Sequence, residues 1–169
     1  FARRGFSVLR FNFRGVGRSQ GRFDRGEGEL SDAAAALDWL QAYNANASQC
    51  WIAGFSFGAW IGMQLLMRRP EITGFVAVAP PANLYDFSFL APCPASGLVL
   101  QGDKDDVVPP EAVDKLVQKL TNQRDITIEH RPIKGATHFF NEHLQQLGDE
   151  LDNYLDKTML APKAKAAAR

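Results

Sequence analysis

Cysteine is scarce in this chain, with only Cys50 and Cys93 among 169 residues. The two do not form a C-x-x-C motif, and no histidine lies near either of them in the sequence. This scarcity argues against a disulfide-built scaffold and against a metal site made of thiolates. We therefore expect two reduced thiols in the core of a cytoplasmic protein.

An excess of one charge is also missing, because 19 lysine and arginine residues balance 19 aspartate and glutamate residues. A neutral chain has no overall field to attract nucleic acid or an anionic membrane, and we expect neither as a partner. No apolar run approaches the length of a membrane-spanning helix, and no signal peptide is visible. The composition, 46% hydrophobic and 22% charged, is typical of a globular domain.

Hydrophobic periodicity predicts alternating strands and helices along the chain. Short β-branched and apolar runs predict the strands, at residues 6–13, 50–53, 74–79, 98–101 and 126–130. Apolar residues at steps of three and four predict the helices, at residues 30–43, 57–69, 110–120 and 144–155. This alternation predicts an α/β fold, a mostly parallel sheet with helices on both faces. Functional groups in such sheets gather beyond the carboxyl ends of the strands.

The start and the end of the chain have features of their own. The sequence opens without methionine, and residues 1–5 look like the last turn of a helix closed by a glycine, so we interpret it as a fragment. The predicted organisation is one partial domain over residues 1–160 and a flexible Lys/Ala-rich tail over residues 161–169. The connection at residues 82–96 is too short for a separate lid domain.

Residues 54–58 form a G-x-S-x-G motif with Ser56 at its centre. An apolar strand precedes the motif and a helical pattern follows it, which predicts a strained strand-to-helix bend that exposes the serine hydroxyl. Side chains at Gly54 or Gly58 are expected to collide with neighbouring backbone. The backbone N–H of Phe57, at the start of the helix, would face a developing oxyanion.

A serine hydroxyl becomes a nucleophile only beside a base, and that base needs a partner to orient it. His138 is the candidate base, because it follows a Gly-Ala turn at a predicted loop-to-helix junction. The candidate acids are Asp103, Asp105 and Asp106, and spacing alone does not choose among them. The order Ser, Asp, His along the chain is the one expected for a nucleophile elbow. We assign surface or packing roles to the two other histidines, His130 and His143.

A second hypothesis comes from the glycine-rich loop that follows the first predicted strand. Its glycines, Gly15, Gly17 and Gly21, suggest the phosphate-binding turn of a dinucleotide site. The spacing departs from G-x-G-x-x-G, however, and the polar residues 22–28 separate the loop from the next predicted helix. The alternative interpretation is a loop whose backbone packs closely against its neighbours.

Three motifs together resemble the signatures of the α/β-hydrolase superfamily: G-x-S-x-G at residues 54–58, G-x-x-D-x-x-V at residues 102–108, and the histidine turn at residues 135–140. The loop at residues 14–19 also matches the R-G-x-G-x-S turn of that superfamily. The chain is most similar to small, lidless bacterial members near the dienelactone-hydrolase-like and prolyl-oligopeptidase-like groups. The resemblance selects Asp105 as the acid.

The resemblance implies a carboxylesterase-like serine hydrolase that acts on a small carboxylic ester or related acyl substrate through an acyl-enzyme. Ser56, Asp105 and His138 would form the catalytic triad, with no cofactor and no metal. The Phe57 N–H would be one oxyanion donor. The second donor of such enzymes lies in N-terminal strands that this sequence lacks.

The substrate pocket is the least defined part of this interpretation. Phe55, Tyr85 and Phe139 are expected to line it. A thioesterase or a peptidase of the same fold stays open, because pocket chemistry depends on tertiary neighbours. A non-catalytic or weakly active module of this fold, as a monomer or a homodimer, is a further alternative.

Overall fold

The computed structural model describes residues 1–160 and contains a parallel four-stranded sheet. Its strands, which pair in sequence order, are β1 (Trp51–Phe55), β2 (Gly74–Val78), β3 (Gly97–Gly102) and β4 (Ile128–Ile133). In the register, Trp51 faces Gly74 and Phe75 faces Gly97, and Gly97 also faces Ile128. Parallel pairing throughout places the carboxyl ends of all four strands at one edge of the sheet.

Helices cover both faces of this sheet. They are α1 (Glu27–Tyr43), α2 (Phe57–Leu66), α3 (Pro110–Thr121) and α4 (Leu144–Leu160). Buried residues of the first three helices form one core with the sheet face that carries Phe75 and Val99. Tyr154 and Leu155 of α4 cover the opposite face, beside Leu98. The predicted α/β fold class is therefore confirmed, and burial on both faces explains why β2 and β3 are continuous apolar runs.

The strand predicted at residues 6–13 is wrong. The segment is largely exposed and has no regular secondary structure, and it is not assigned to any strand of the sheet. Its ends lie against the nucleophile region, with the Phe6 ring 6.4 Å from Trp51 and the Phe13 ring 5.7 Å from Phe57. Aromatic and β-branched residues favour an extended backbone, whereas a strand also needs a neighbour for its ladder of hydrogen bonds.

Helix α1 begins at Glu27, three residues before the predicted start. The Glu29 carboxylate accepts hydrogen bonds of 2.8 Å from the backbone N–H groups of Asp24 and Gly26. Burial favours a higher pKa for Glu29, but the backbone N–H groups outweigh it and lower the pKa below its ordinary value. This acid therefore ties the preceding loop to the helix and fills the helix start, the place where a dinucleotide phosphate would bind.

The last strand and the last helix differ in detail from the prediction. Strand β4 is an edge strand, as expected, but it begins two residues later and runs through Pro132. Proline is tolerated there because an edge strand leaves one side of its backbone unpaired. Helix α4 begins at Leu144, yet this side chain is exposed, and the burial is concentrated at Tyr154 and Leu155.

Both cysteines are free thiols, Cys93 buried and Cys50 half-buried. Burial raises the pKa of each thiol, which keeps both protonated at neutral pH. Within residues 1–160, no helix combines the length and the apolar character needed to cross a membrane. The tail predicted at residues 161–169 lies outside the described residues.

Candidate active site

Ser56 lies on a tight bend between β1 and α2. Its backbone has φ 49° and ψ −120°, a strained conformation for a residue other than glycine. The Ser56 N–H donates to the Val78 carbonyl at 2.8 Å, which fixes the bend to the neighbouring strand. A Cβ at Gly54 would lie 2.3 Å from the Gly58 carbonyl oxygen, so glycine is required there, as predicted. The same prediction for Gly58 is wrong, since a Cβ at that position meets nothing within 4 Å.

Phe57 is the first residue of α2, and its N–H lies beside Ser56 at the positive end of the helix dipole. Within the described residues, this N–H donates to no backbone or side-chain acceptor. Its ring is surrounded by other aromatic rings, all with centroids 5.7 Å away: Phe13, Phe23, Trp60 and Tyr85. The predicted oxyanion donor is thus held in place by its side chain, and its N–H remains available to a ligand.

His138 connects the serine to an acid from a different loop. Its Nε2 lies 3.1 Å from Ser56 Oγ, and its Nδ1 lies 2.8 Å from Asp105 Oδ2. The imidazole is buried, with 4% of the residue exposed. The structure therefore brings the three predicted residues into one hydrogen-bonded line, although 82 positions separate the serine from the histidine.

Asp105 is distinguished from the neighbouring acids by its hydrogen bonds. Its Oδ1 accepts from the backbone N–H groups of Val107 and Val108, at 2.9 and 2.8 Å. The residue is 5% exposed, whereas Asp103 and Asp106 are exposed. Only Asp105 contacts His138, so the geometry selects among the three candidates that spacing left open.

Asp103 has a different position and joins two loops. Its Oδ1 accepts from the Gly135 N–H at 2.6 Å, while the Lys104 N–H donates to the Ala136 carbonyl at 3.0 Å. A Cβ at Gly102 would lie 2.3 Å from that same carbonyl oxygen. The close approach and the two hydrogen bonds hold the histidine loop against the acid loop.

The other two histidines lie away from this line. His130, on β4, is half-buried with Nδ1 3.5 Å from Asp114, and burial lowers its pKa despite the opposing effect of that carboxylate. His143 lies beside Gly135, where an added Cβ would be 3.2 Å from its Nε2. Neither histidine hydrogen-bonds to Ser56 or Asp105 within the described residues.

The three predicted substrate residues lie on two sides of the site. Phe55 and Phe139 lie together beside the His138 ring, with centroids 5.0 and 5.1 Å from it, and both are exposed. Tyr85 lies on the other side, stacked on Trp60 at 4.3 Å. It also lines a groove of about 640 Å³ between residues 82–91 and α3.

Sequence reasoning missed two residues near the site, Phe23 and Gln101. Phe23 is exposed and lies 5.7 Å from Phe57, and nothing in the loop sequence marks it. Gln101 is buried and donates to Asp105 at 3.0 Å. A signal for Gln101 existed, since it is the single polar side chain in the run that forms β3.

Comparison with known proteins gives a family match and several similar chains. The sequence model of the family described as X-Pro dipeptidyl-peptidase (S15 family) matches residues 1–166. A crystal structure from Agrobacterium tumefaciens, described as a protein of unknown function and a candidate α/β-hydrolase, is 60% identical with a TM-score of 0.91. The match covers 93% of this chain and 72% of that one.

Two further proteins extend the comparison. A lidless α/β serine hydrolase from Xanthomonas campestris is 35% identical, with a TM-score of 0.77 over 89% of this chain and 66% of that one. An uncharacterised protein from Rickettsia prowazekii is 56% identical over 155 residues. This alignment covers 89% of the present chain but 65% of the Rickettsia protein, so the chain spans less than two thirds of that relative's length.

Proposed function

This chain belongs to the X-Pro dipeptidyl-peptidase (S15) family and has the α/β-hydrolase fold, and from that premise we propose a serine hydrolase that cleaves small carboxylic esters or related acyl compounds. One observation carries the proposal. Ser56 Oγ, His138 Nε2 and Asp105 Oδ2 form a continuous hydrogen-bonded line at the carboxyl edge of the sheet. This is the relation of nucleophile, base and orienting acid that acyl transfer requires.

In the proposed mechanism, His138 Nε2 takes the hydroxyl proton while Ser56 Oγ attacks the substrate carbonyl. Asp105 keeps the Nδ1–H of the imidazole directed toward itself and stabilises the imidazolium that forms. The Phe57 N–H donates to the oxygen that becomes negative. The imidazolium then gives its proton to the leaving alkoxide, and water activated by His138 hydrolyses the acyl-enzyme. No cofactor or metal takes part in this scheme.

The surroundings of the line favour an uncharged substrate. Phe55 and Phe139 form one apolar wall beside His138, and Phe57 and Tyr85 form another beside the nucleophile. Residues 82–96 form a short connection rather than a domain over the site. We propose that these walls bind the acyl group or the alcohol of a small ester.

Peptide cleavage is a second candidate, because the matching family is described as a dipeptidyl-peptidase. The same attack and the same acyl-enzyme would serve an amide bond, with His138 protonating the leaving nitrogen. Cleavage of Ala-Pro p-nitroanilide against p-nitrophenyl acetate separates the two activities. A preference for the anilide by kcat/KM would replace the ester assignment.

The experiment for the proposed function is covalent labelling of the complete protein with a fluorophosphonate, followed by mapping of the adduct by mass spectrometry. We expect one adduct, on Ser56, and its absence in Ser56→Ala. Labelling of another residue, or full esterase activity in Ser56→Ala, would refute the proposed nucleophile. An unlabelled, inert wild-type protein would favour the non-catalytic module.

A further inference from the structure

Gln101 is a buried amide next to the proposed acid. It is 1% exposed and lies at the carboxyl end of β3, four positions before Asp105. Its Nε2 lies 3.0 Å from Asp105 Oδ2 and 3.0 Å from the Val108 carbonyl oxygen. An amide nitrogen carries two hydrogens, so both contacts can be hydrogen bonds at once.

The bond from Gln101 completes the set of donors around the carboxylate. Asp105 Oδ1 accepts from the backbone N–H groups of Val107 and Val108. Asp105 Oδ2 accepts from His138 Nδ1 and from Gln101 Nε2. The plane of the carboxylate is therefore fixed at both oxygens, and one of the two bonds at Oδ2 comes from this glutamine.

Packing alone gives no reason for an amide at this position. Within residues 1–160, the Gln101 Oε1 is buried without a hydrogen-bond partner, which is unfavourable. A methionine would occupy a similar volume without that unpaired oxygen. Turning the amide over would place Oε1 against the carboxylate oxygen of Asp105. Because these two negative oxygens repel each other, the amide is oriented with Nε2 toward Asp105. What the amide adds is two donors, one to Asp105 and one to the Val108 carbonyl.

We propose that Gln101 is a positioning residue of the triad, which holds the Asp105 carboxylate and through it the imidazole of His138 toward Ser56. The proposal rests on the proposed function. It concerns the hydrogen bond at Asp105 Oδ2, because the bond to the Val108 carbonyl is structural. Since Gln101 does not line the site, it acts on the rate of the chemical step and not on substrate binding.

The first test compares Gln101→Met with the matched control Leu100→Met, a buried residue of the same strand on the opposite face of the sheet. In Gln101→Met we expect kcat to fall roughly tenfold with KM within about twofold of wild type. The rate of fluorophosphonate labelling at Ser56 should fall by the same factor. Leu100→Met should keep wild-type values, and thermal unfolding of both variants checks that they are folded at the assay temperature.

The second test is Gln101→Glu, which keeps the shape and makes the donor depend on pH. When protonated, the new carboxyl donates its O–H to Asp105 Oδ2 as the amide does. When ionised, it places a second negative charge against the first. At pH 6 we expect kcat of Gln101→Glu to be close to that of the wild-type protein. At pH 9 we expect it to be at least tenfold below the wild-type value.

Wild-type kcat in Gln101→Met would overturn the positioning role while leaving the proposed function intact. An equal loss in Gln101→Glu at all pH values would also overturn it, because the protonated carboxyl would then supply a donor to Asp105 Oδ2 without restoring kcat. Absence of labelling at Ser56 in the wild-type protein would overturn the proposed function, and the positioning role with it.

Discussion

The two halves of the candidate site are built in different ways. The nucleophile half, residues 51–60, is one continuous strand–bend–helix segment, and Ser56 is half-buried at the end of β1. The acid–histidine half, residues 101–108 and 133–140, joins two segments, and both Asp105 and His138 are buried. A steric contact between Gly54 and Gly58, together with one hydrogen bond from Ser56 to Val78, holds the first half. Hydrogen bonds between residues more than thirty positions apart hold the second.

This difference shows which kind of change should disrupt each half. The bend at Ser56 depends on the absence of a side chain at Gly54, so added volume should disrupt it. The acid–histidine half depends on donors and acceptors, so changes of charge or hydrogen bonding at unchanged volume should disrupt it. Substitutions matched in size test the comparison directly.

The largest expected effect comes from the residues that join the halves. Ser56→Ala and His138→Ala should each lower kcat/KM for p-nitrophenyl acetate by on the order of 10⁴ to 10⁶. The double variant should be no more than about tenfold lower than either single one, because the two residues act as a unit. Losses that multiply in the double variant would show that the halves work independently.

The next effect separates Asp105 from Asp103 inside the acid–histidine half. Asp105→Asn should lower kcat by on the order of 10⁴, since a neutral amide no longer stabilises the imidazolium or fixes its tautomer. Asp103→Asn keeps an oxygen acceptor for the Gly135 N–H and should stay within about threefold of wild type. Steady-state kinetics at one pH suffices, and equal losses would contradict the assignment of the acid.

Added volume should affect stability in the nucleophile half. Gly54→Ala should lower the free energy of unfolding by about 2 kcal/mol or more, because its methyl group meets backbone at 2.3 Å. Gly58→Ala, the matched control in open space, should stay within about 1 kcal/mol of wild type and toward greater stability. Urea unfolding measures both. Similar losses of unfolding free energy in the two variants would mean that the bend, and not the contact at Gly54, limits the tolerance to added volume.

The smallest effect concerns His130, in the strand that leads to the histidine loop. Burial lowers its folded pKa, so the unfolded chain binds more protons as the pH falls through the ordinary histidine value near 6.5. Stability should therefore rise with pH between about 5 and 7, and His130→Gln should reduce that slope. We expect a difference of at most about 1 kcal/mol, measured by urea unfolding at pH 5, 6 and 7. An unchanged slope would show that His130 does not contribute.

Most of the architecture could be predicted from the sequence, because periodicity and turn residues are local signals. The alternation of strands and helices, the bend at Ser56 and the edge position of β4 all follow from neighbours in the chain. The strand predicted at residues 6–13 could not be rejected from the sequence, because its composition is typical of a strand. Only hydrogen-bond pairing with a neighbouring strand decides whether such a segment is one. The start of α1 was missed because the Glu29 carboxylate binds two backbone N–H groups of the preceding loop.

By itself, the sequence determined which residue types could supply a nucleophile, a base and an acid, and in what order they come. The tertiary structure decided which of three aspartates contacts His138, and it placed Gln101 behind that aspartate. The physical reason is the separation along the chain over which each interaction acts. Periodicity and backbone sterics act between neighbours in the chain. A buried carboxylate takes its donors from wherever the fold brings them.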